Sequence, residues 1–193
     1  MNLDIKKRID SIAHPEAIKL FFALINQFIK NNVISETDER FVLNVRNDNR
    51  KRFSVNLNSR MILYINGGYE FGFMIDQEDW KNFENITITK KESFEKYEPA
   101  AFLVTFSFDE VVENRDLITK YWLKSCKEYL PSQQRSQYRK HHMPELFNIA
   151  TKSELLDKYL MDPIESYSKF QQIIIDFKEY IKSEDSKLNN FEI

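Results

Sequence analysis

An alternation of apolar and polar residues between positions 40 and 75 constrains the fold more than any other feature of the sequence. In the segment RFVLNVRNDNRKRFSVNLNSRMILYINGGYEFGFMI, four stretches place an apolar side chain at every second position. A period of two predicts strands with one buried face. The predicted strands are residues 40–46, 52–58, 61–65 and 69–75.

The turns between these strands predict the register of an antiparallel sheet. Asn, Asp and Gly tolerate positive φ, and they occupy all three turns. Side chains directly opposite each other share a face, so apolar residues must meet apolar residues. The predicted pairs are Val45–Phe53, Leu43–Val55 and Phe41–Leu57 across the first turn, Leu57–Met61, Val55–Leu63 and Phe53–Ile65 across the second, and Ile65–Tyr69 and Leu63–Phe71 across the third.

Helical patterns flank the alternating segment on both sides. Helices are expected over 3–12 and 15–32, the second opened by Pro15. After the segment we expect a short helix capped by Asp76, strands over 86–89 and 101–106, and a charged connector over 90–99. The C-terminal part predicts a long helix from a Ser107–Glu110 capping box, a short helix from Pro144, another from a Thr151–Glu154 capping box, and a long final helix from Asp162-Pro163.

These elements predict an α+β fold in one domain spanning residues 1–193. An antiparallel meander of about five to six strands packs against an N-terminal helix pair and a C-terminal helical segment. Residues 1–107 hold the first helices and the sheet, and residues 108–193 form the helical part of the same domain.

Composition favours a globular protein of the cytoplasm. Apolar residues make up 42% of the 193 residues, enough for a substantial core. The single cysteine excludes an internal disulfide and suits a reducing compartment. No apolar run reaches the length of a membrane span, and the first residues, MNLDIKKRID, lack the apolar centre of a signal peptide. We therefore expect no membrane partner.

The first hairpin is strongly basic. Between Arg40 and Arg60 six basic residues stand against one acid, Asp48, in a chain whose net charge is −2. One interpretation is a solvated edge hairpin whose charges prevent edge-to-edge pairing. The other is a surface that contacts phosphates.

A second basic stretch, SQQRSQYRKHHM, covers residues 132–143 and contains no acid. Tyrosines at positions 64, 69 and 138 are interleaved with the two stretches. Arg and Lys supply phosphate contacts, Asn and Ser can contact bases or backbone, and aromatic rings can stack on an unpaired base. The two stretches together favour nucleic-acid binding.

Motifs of catalysis and cofactor binding are absent from the sequence. It contains no G-x-G-x-x-G, P-loop, H-E-x-x-H or C-x-x-C motif and no nucleophile elbow. With three histidines and one cysteine, a structural zinc site of the usual type is out of reach. The spacing of Arg135 and His141 occurs in some helical ribonucleases, but it also arises by chance in a basic stretch. We predict no catalytic residue, no metal and no cofactor, although a site formed by carboxylates stays open.

The order of features resembles the N-terminal modules of modification-dependent restriction systems of the McrB type. The resemblance is carried by the helix-then-meander start, by RFSVNLNSRMILYINGGYEFGFMI and by SQYRKHHMPELF, over about 140 residues. It implies DNA recognition for a restriction or defence system, with the possible reading of a modified base. Cleavage would be done elsewhere, because this chain has no Walker motif and no nuclease motif. The implied partner is an AAA+ motor or nuclease subunit, and the alternative is that the protein stands alone. DNA is expected more than RNA.

The expected binding residues follow from charge and strand face. The candidates for backbone contact are Arg46, Arg50, Lys51, Arg52, Arg60, Arg135, Arg139 and Lys140. The candidates nearer the bases are Asn44, Ser54, Asn56, Tyr64 and His141. Two other functions stay open: a protein-interaction or immunity-type module, which predicts an exposed apolar patch, and an enzyme, which predicts a deep pocket with a strongly shifted carboxylate or histidine.

Overall fold

The computed structural model describes residues 2–12, 15–46, 51–67, 70–82, 90–94, 101–129 and 134–160. It has the predicted α+β fold, in which the N-terminal helix pair and the C-terminal helical segment share one hydrophobic core with one face of a six-stranded antiparallel sheet. The helices are α1 (Leu3–Asp10), α2 (Pro15–Asn31), α3 (Phe108–Glu113), α4 (Arg115–Tyr129), α5 (Pro144–Thr151) and α6 (Ser153–Asp157). The strands are β1 (Phe41–Arg46), β2 (Arg52–Leu57), β3 (Arg60–Asn66), β4 (Phe71–Asp76), β5 (Lys90–Phe94) and β6 (Ala101–Phe106). Within these ranges no helix is long and apolar enough to cross a bilayer.

The first hairpin has the predicted register. Phe41 pairs with Leu57, Leu43 with Val55 and Val45 with Phe53. All but Val45 are buried, and Val45 packs against the same core. The α2 stripe, with Phe21, Phe22, Ile25 and Phe28 among its members, covers this face. The prediction of a helix-covered apolar face is therefore confirmed.

The second turn contains a bulge that the alternation did not reveal. Val55–Leu63 and Phe53–Ile65 pair as predicted, but Leu57 faces Arg60 and Asn56 faces Met61. The turn is tighter than expected because Asn58 and Ser59 both take positive φ, 49° and 70°, as a two-residue primed turn requires. The register shift at Val55/Asn56 accommodates the extra residue on β3. Met61 therefore joins a second buried cluster with Tyr64, Met74 and Leu103, instead of sharing a face with Leu57 as the predicted pairing required.

The third turn is longer than predicted. Ile65 pairs with Phe71 instead of Tyr69, and Tyr64 pairs with Gly72. The Asn66 amide donates to the Glu70 carbonyl at 3.1 Å, and the Glu70 amide donates to Asn66 Oδ1 at 3.2 Å, which closes a wider loop. The register shifts by two residues, so the apolar side chains keep their face and the sequence pattern is equally satisfied.

The sheet ends differently from the predicted meander. Its strand order is β1-β2-β3-β4-β6-β5, so β6 rather than β5 lies beside β4. The sixth strand has the predicted bounds, but β5 lies at 90–94, inside the stretch that was expected to be a connector. The strand expected over 86–89 lies outside the described residues.

Helix ends follow the predicted caps only in part. The Ser107–Glu110 capping box is present, but the helix that it opens ends at Glu113 and α4 starts at Arg115. The Thr151–Glu154 box does not form, because the Thr151 hydroxyl donates to the Phe147 carbonyl within α5. Pro144 opens α5 as predicted. The final helix expected from Asp162-Pro163 lies outside the described residues.

Candidate nucleic-acid interface

The polar face of the first hairpin is buried. Asn44 and Ser54 are each 2% exposed, and Arg52 and Asn56 are each 8% exposed. Both interpretations of this face, a solvated hairpin and a phosphate-contacting surface, required it to face solvent, so that expectation was wrong. Side-chain polarity predicted exposure, but buried polar groups are stable when they are hydrogen-bonded.

The polar face of the first hairpin belongs to the sheet face opposite α2, which we call the second face. Tyr64 lies on the second face and reaches across the sheet. It is 5% exposed, and its hydroxyl hydrogen-bonds with Thr105 on β6. The guanidinium of Arg52 lies 4.9 Å from the centroid of the Tyr64 ring, which is a cation–π distance. The ring covers Gly72, where an added Cβ would lie 2.1 Å from Tyr64 Cε1. Glycine is therefore required at position 72 for the ring to cross β4.

An ion pair and a hydrogen bond give further polar groups on the second face a partner. Arg60 Nη2 donates to Asp76 Oδ1 at 2.7 Å, and both side chains are less than a tenth exposed. The Ser54 hydroxyl donates to Asn44 Oδ1. Of the residues predicted to bind DNA, Asn44, Ser54 and Arg60 thus have partners inside the protein.

The second basic stretch lies along the outer edge of β1. The Ser136 amide donates to the Glu39 carbonyl at 2.9 Å, and the Gln137 amide donates to Ser59 Oγ at 2.9 Å. Further along, the Met143 amide donates to the Leu43 carbonyl at 2.9 Å. Residues 134–143 therefore cover the edge of β1, and we refer to them as the edge segment. Covering an edge strand removes a site of unwanted strand pairing.

Arg139 holds the edge segment against β1. Its side chain is 13% exposed. It donates to the carbonyl of Phe41 at 2.9 Å and to the carbonyl of Glu36 at 2.6 Å. Its Nε lies 3.7 Å from a carboxylate oxygen of Glu39. Arg139 was predicted to contact phosphate, but its donors face the protein.

His142 is the second side chain that faces inward from the edge segment. Its Nδ1 accepts a hydrogen bond from the Leu43 amide at 3.1 Å, so Nε2 carries the proton in the neutral ring. Nε2 is buried and has no hydrogen-bond partner. The ring packs edge-on against Phe41 and Phe147. Burial, with the nearby charge of Arg139, lowers the pKa of His142 to about 4.

Four predicted binding residues remain accessible on the first hairpin and the edge segment. Lys51, Arg135, Lys140 and His141 are exposed, and Arg46 is partly buried. Arg135 Nε forms an ion pair with Glu39 Oε2 at 2.5 Å. We call Arg46, Lys51, Arg135, Lys140 and His141 the edge cations. Arg50, also predicted to bind, lies outside the described residues.

Acidic residues before β1 offset part of this charge. Arg40 Nη2 donates to Asp38 Oδ2 at 2.7 Å, and this hydrogen bonding lowers the pKa of Asp38. Glu39 contacts both Arg135 and Arg139. The sequence shows these acids directly before the basic hairpin, but their contact with residues 135–139 depends on the tertiary structure.

Sites for catalysis or metal binding gain no support from the described residues. Within that part of the chain no group of three His, Cys, Asp or Glu residues could hold a metal ion. An apolar cavity lies between the sheet and helices α2, α3 and α4, near Leu63, Phe73 and Trp122. Its volume is about 20 Å³, room for little more than one water molecule.

Comparison with known proteins does not extend these observations. No protein-family model, no curated protein and no solved structure matches the chain. The resemblance to McrB-type recognition modules therefore stays a prediction.

The structural role of the edge segment was not evident from the sequence. His142 and Arg139 appeared as members of a basic run with no partner nearby in sequence. A usable signal was the spacing of three residues between Arg139 and His142, because one turn of a 3-10 helix places both on the same side and leaves Lys140 and His141 outward.

Proposed function

We propose that this protein is a non-catalytic nucleic-acid-binding module whose edge cations contact the phosphate backbone. We expect its ligand to be DNA rather than RNA. One observation carries the proposal. Two basic stretches lie side by side, joined by hydrogen bonds between residues 99 positions apart (Leu43–His142) and 78 positions apart (Ser59–Gln137). The accessible charges of the two stretches therefore lie on the first hairpin and on the segment that covers its open edge.

The chemistry of the edge cations favours backbone contact over base reading. Lysine and arginine bind phosphates, which fix position and carry no sequence information. Asn44, Ser54, Asn56 and Tyr64, the candidates for base contact, are all less than a tenth exposed. We therefore propose that the described residues supply sequence-independent affinity. Two parts of the proposal depend on the resemblance. They are that the protein recognises a modified base, and that it functions in a restriction or defence system with a separate motor or nuclease.

The expected affinity is modest. We assume that about three of the four lysine and arginine residues among the edge cations each neutralise one phosphate. Each phosphate neutralised contributes about −0.9 to the slope of log affinity against log salt. We expect a slope of about −3, which corresponds to roughly 50-fold weaker binding between 50 and 200 mM salt.

Fluorescence anisotropy with a labelled 20-base-pair duplex, plain or carrying a modified cytosine or adenine, tests the proposal. The double charge reversal Lys51→Glu/Lys140→Glu is expected to weaken binding at 50 mM salt by about tenfold or more. Its matched control is Lys81→Glu/Lys120→Glu, which changes net charge equally. Lys81 follows β4 and Lys120 lies on α4, both away from β1. Equal losses in the two variants, or no binding by the unchanged protein at low salt, would refute the edge-cation site.

A protein-interaction module is the second candidate, because one exposed apolar residue stands at an unusual backbone position. Val33 is 89% exposed and has a φ of 52°, just after α2. A β-branched residue is costly there, where glycine or asparagine is usual. Val33→Gly should stabilise the isolated protein. If it also abolishes co-purification of a specific protein while DNA binding is absent, the second function is favoured.

A further inference from the structure

The edge segment supplies hydrogen-bond partners to backbone groups of β1, some from its own backbone and some from its side chains. On the open side of the strand, the Phe41 carbonyl accepts from Arg139 and the Leu43 carbonyl accepts from the Met143 amide. The Leu43 amide, however, donates to a side chain, Nδ1 of His142. This last contact exists only while the imidazole is neutral, because a protonated ring has no acceptor.

We propose that the edge segment is an acid-released latch, in which protonation of His142 breaks its bond to the Leu43 amide and uncovers the edge of β1. The proposal goes beyond nucleic-acid binding and does not depend on it. The released edge would present the Leu43 amide and the Phe41 and Leu43 carbonyls, the groups to which an added strand can bind.

The surroundings of His142 make the charged ring unfavourable in the closed latch. On its own segment the neighbouring charge is Arg139, a cation. From β1 and α5 it meets the aromatic rings of Phe41 and Phe147, which bear no charge. Acids of the neighbouring elements have other partners: Glu39 contacts Arg135 and Arg139, Asp38 contacts Arg40, and Glu145 of α5 contacts Tyr159. The buried Nε2 has no hydrogen-bond acceptor that would stabilise the positive charge of a protonated ring.

Proton linkage fixes the size and direction of the effect. In the open latch His142 has its ordinary pKa of 6.5, and in the closed latch its pKa is about 4. Opening therefore takes up a proton between these values, so the opening equilibrium rises about tenfold for each pH unit of acidification, by a few hundredfold in all. Above pH 6.5 the opening equilibrium should not depend on pH.

Amide hydrogen exchange of the full chain, corrected for the intrinsic rate at each pH, measures this opening. The protection of Leu43 and Met143 should fall by about tenfold per pH unit below 6.5, while amides of β3 keep theirs. Flat protection of Leu43 down to pH 4.5 would overturn the proposal. So would a parallel loss in β3, which would indicate general acid unfolding.

The variant His142→Asn provides the matched control. Asparagine Oδ1 can accept from the Leu43 amide near the position of Nδ1, and it does not titrate. Its Leu43 protection should be independent of pH over the same range. If His142→Asn fails to fold, Arg139→Gln serves instead. Loss of the Arg139 hydrogen bonds should lower Leu43 protection at every pH, and loss of its charge should raise the pKa of His142 in the closed latch, so that the tenfold slope ends at a higher pH. Loss of the slope in Arg139→Gln, or its persistence in His142→Asn, would contradict the assignment to His142.

Discussion

The two faces of the sheet are both buried, yet their chemistry differs. The face under α2 is filled by aromatic and aliphatic side chains, with Phe53 packed against Phe21 and Phe22. The opposite face has a small apolar cluster of Met61, Tyr64, Met74 and Leu103, bordered by buried polar groups. The first face stabilises the fold through area and shape. The second adds directional contacts between particular strands, so we expect it to fix pairing more than to add stability.

The largest effect is expected on the apolar face. Phe53→Ala should lower the free energy of unfolding by about 4 kcal/mol, because it removes a fully buried ring and leaves a cavity. Chemical denaturation with an unchanged m-value measures the loss. A loss below about 1 kcal/mol would show that the apolar face is not the main source of stability.

The buried ion pair should show the next largest effect. Asp76→Ala leaves the Arg60 guanidinium in a site that is 6% exposed, and breaking such a pair costs about 3 kcal/mol. The double variant Arg60→Met/Asp76→Leu should recover most of the stability, because neither charge of the pair remains in the buried site. If the double variant is as unstable as Asp76→Ala, the pair contributes stability of its own and the contrast between the faces weakens.

The crossing of Tyr64 over Gly72 gives a coupling that only the second face should show. Gly72→Ala places a methyl group within the ring of Tyr64, and overpacking of this kind costs about 2 kcal/mol. In a Tyr64→Ala background the same change should cost much less. A double-mutant cycle measures the coupling. Equal costs in both backgrounds would show that the Tyr64 ring does not lie over Gly72.

The smallest effect is expected from the hydroxyl at the end of that ring. Tyr64→Phe keeps the packing against Gly72 but removes the hydrogen bond to Thr105, for a loss of about 1 kcal/mol. Thr105→Val is the matched change on β6, and the two losses should not add because each removes the same bond. Additive losses would indicate that the two hydroxyls have separate partners.

The candidate site was less predictable than the fold. The sequence placed Lys51, Arg135, Lys140 and His141 in basic stretches, and the structure leaves them exposed. It also grouped Arg52, Arg60 and Arg139 with them, although these side chains face the protein. The difference depends on partners distant in sequence, such as Asp76 for Arg60 and the Phe41 carbonyl for Arg139, and residue type alone cannot reveal them.

The sequence by itself determined the strands of the first hairpin, the register of Phe41 to Val45, the helix opened by Pro15 and the α+β class. These are consequences of local periodicity and turn chemistry, which act between near neighbours. Only the tertiary structure decided the bulge at Val55, the two-residue shift before Phe71, the insertion of β6 beside β4 and the burial of the second face. A shift of two residues preserves which face each side chain occupies, and a polar side chain is stable inside or outside according to its partners. Neither choice leaves a mark in the period-two pattern.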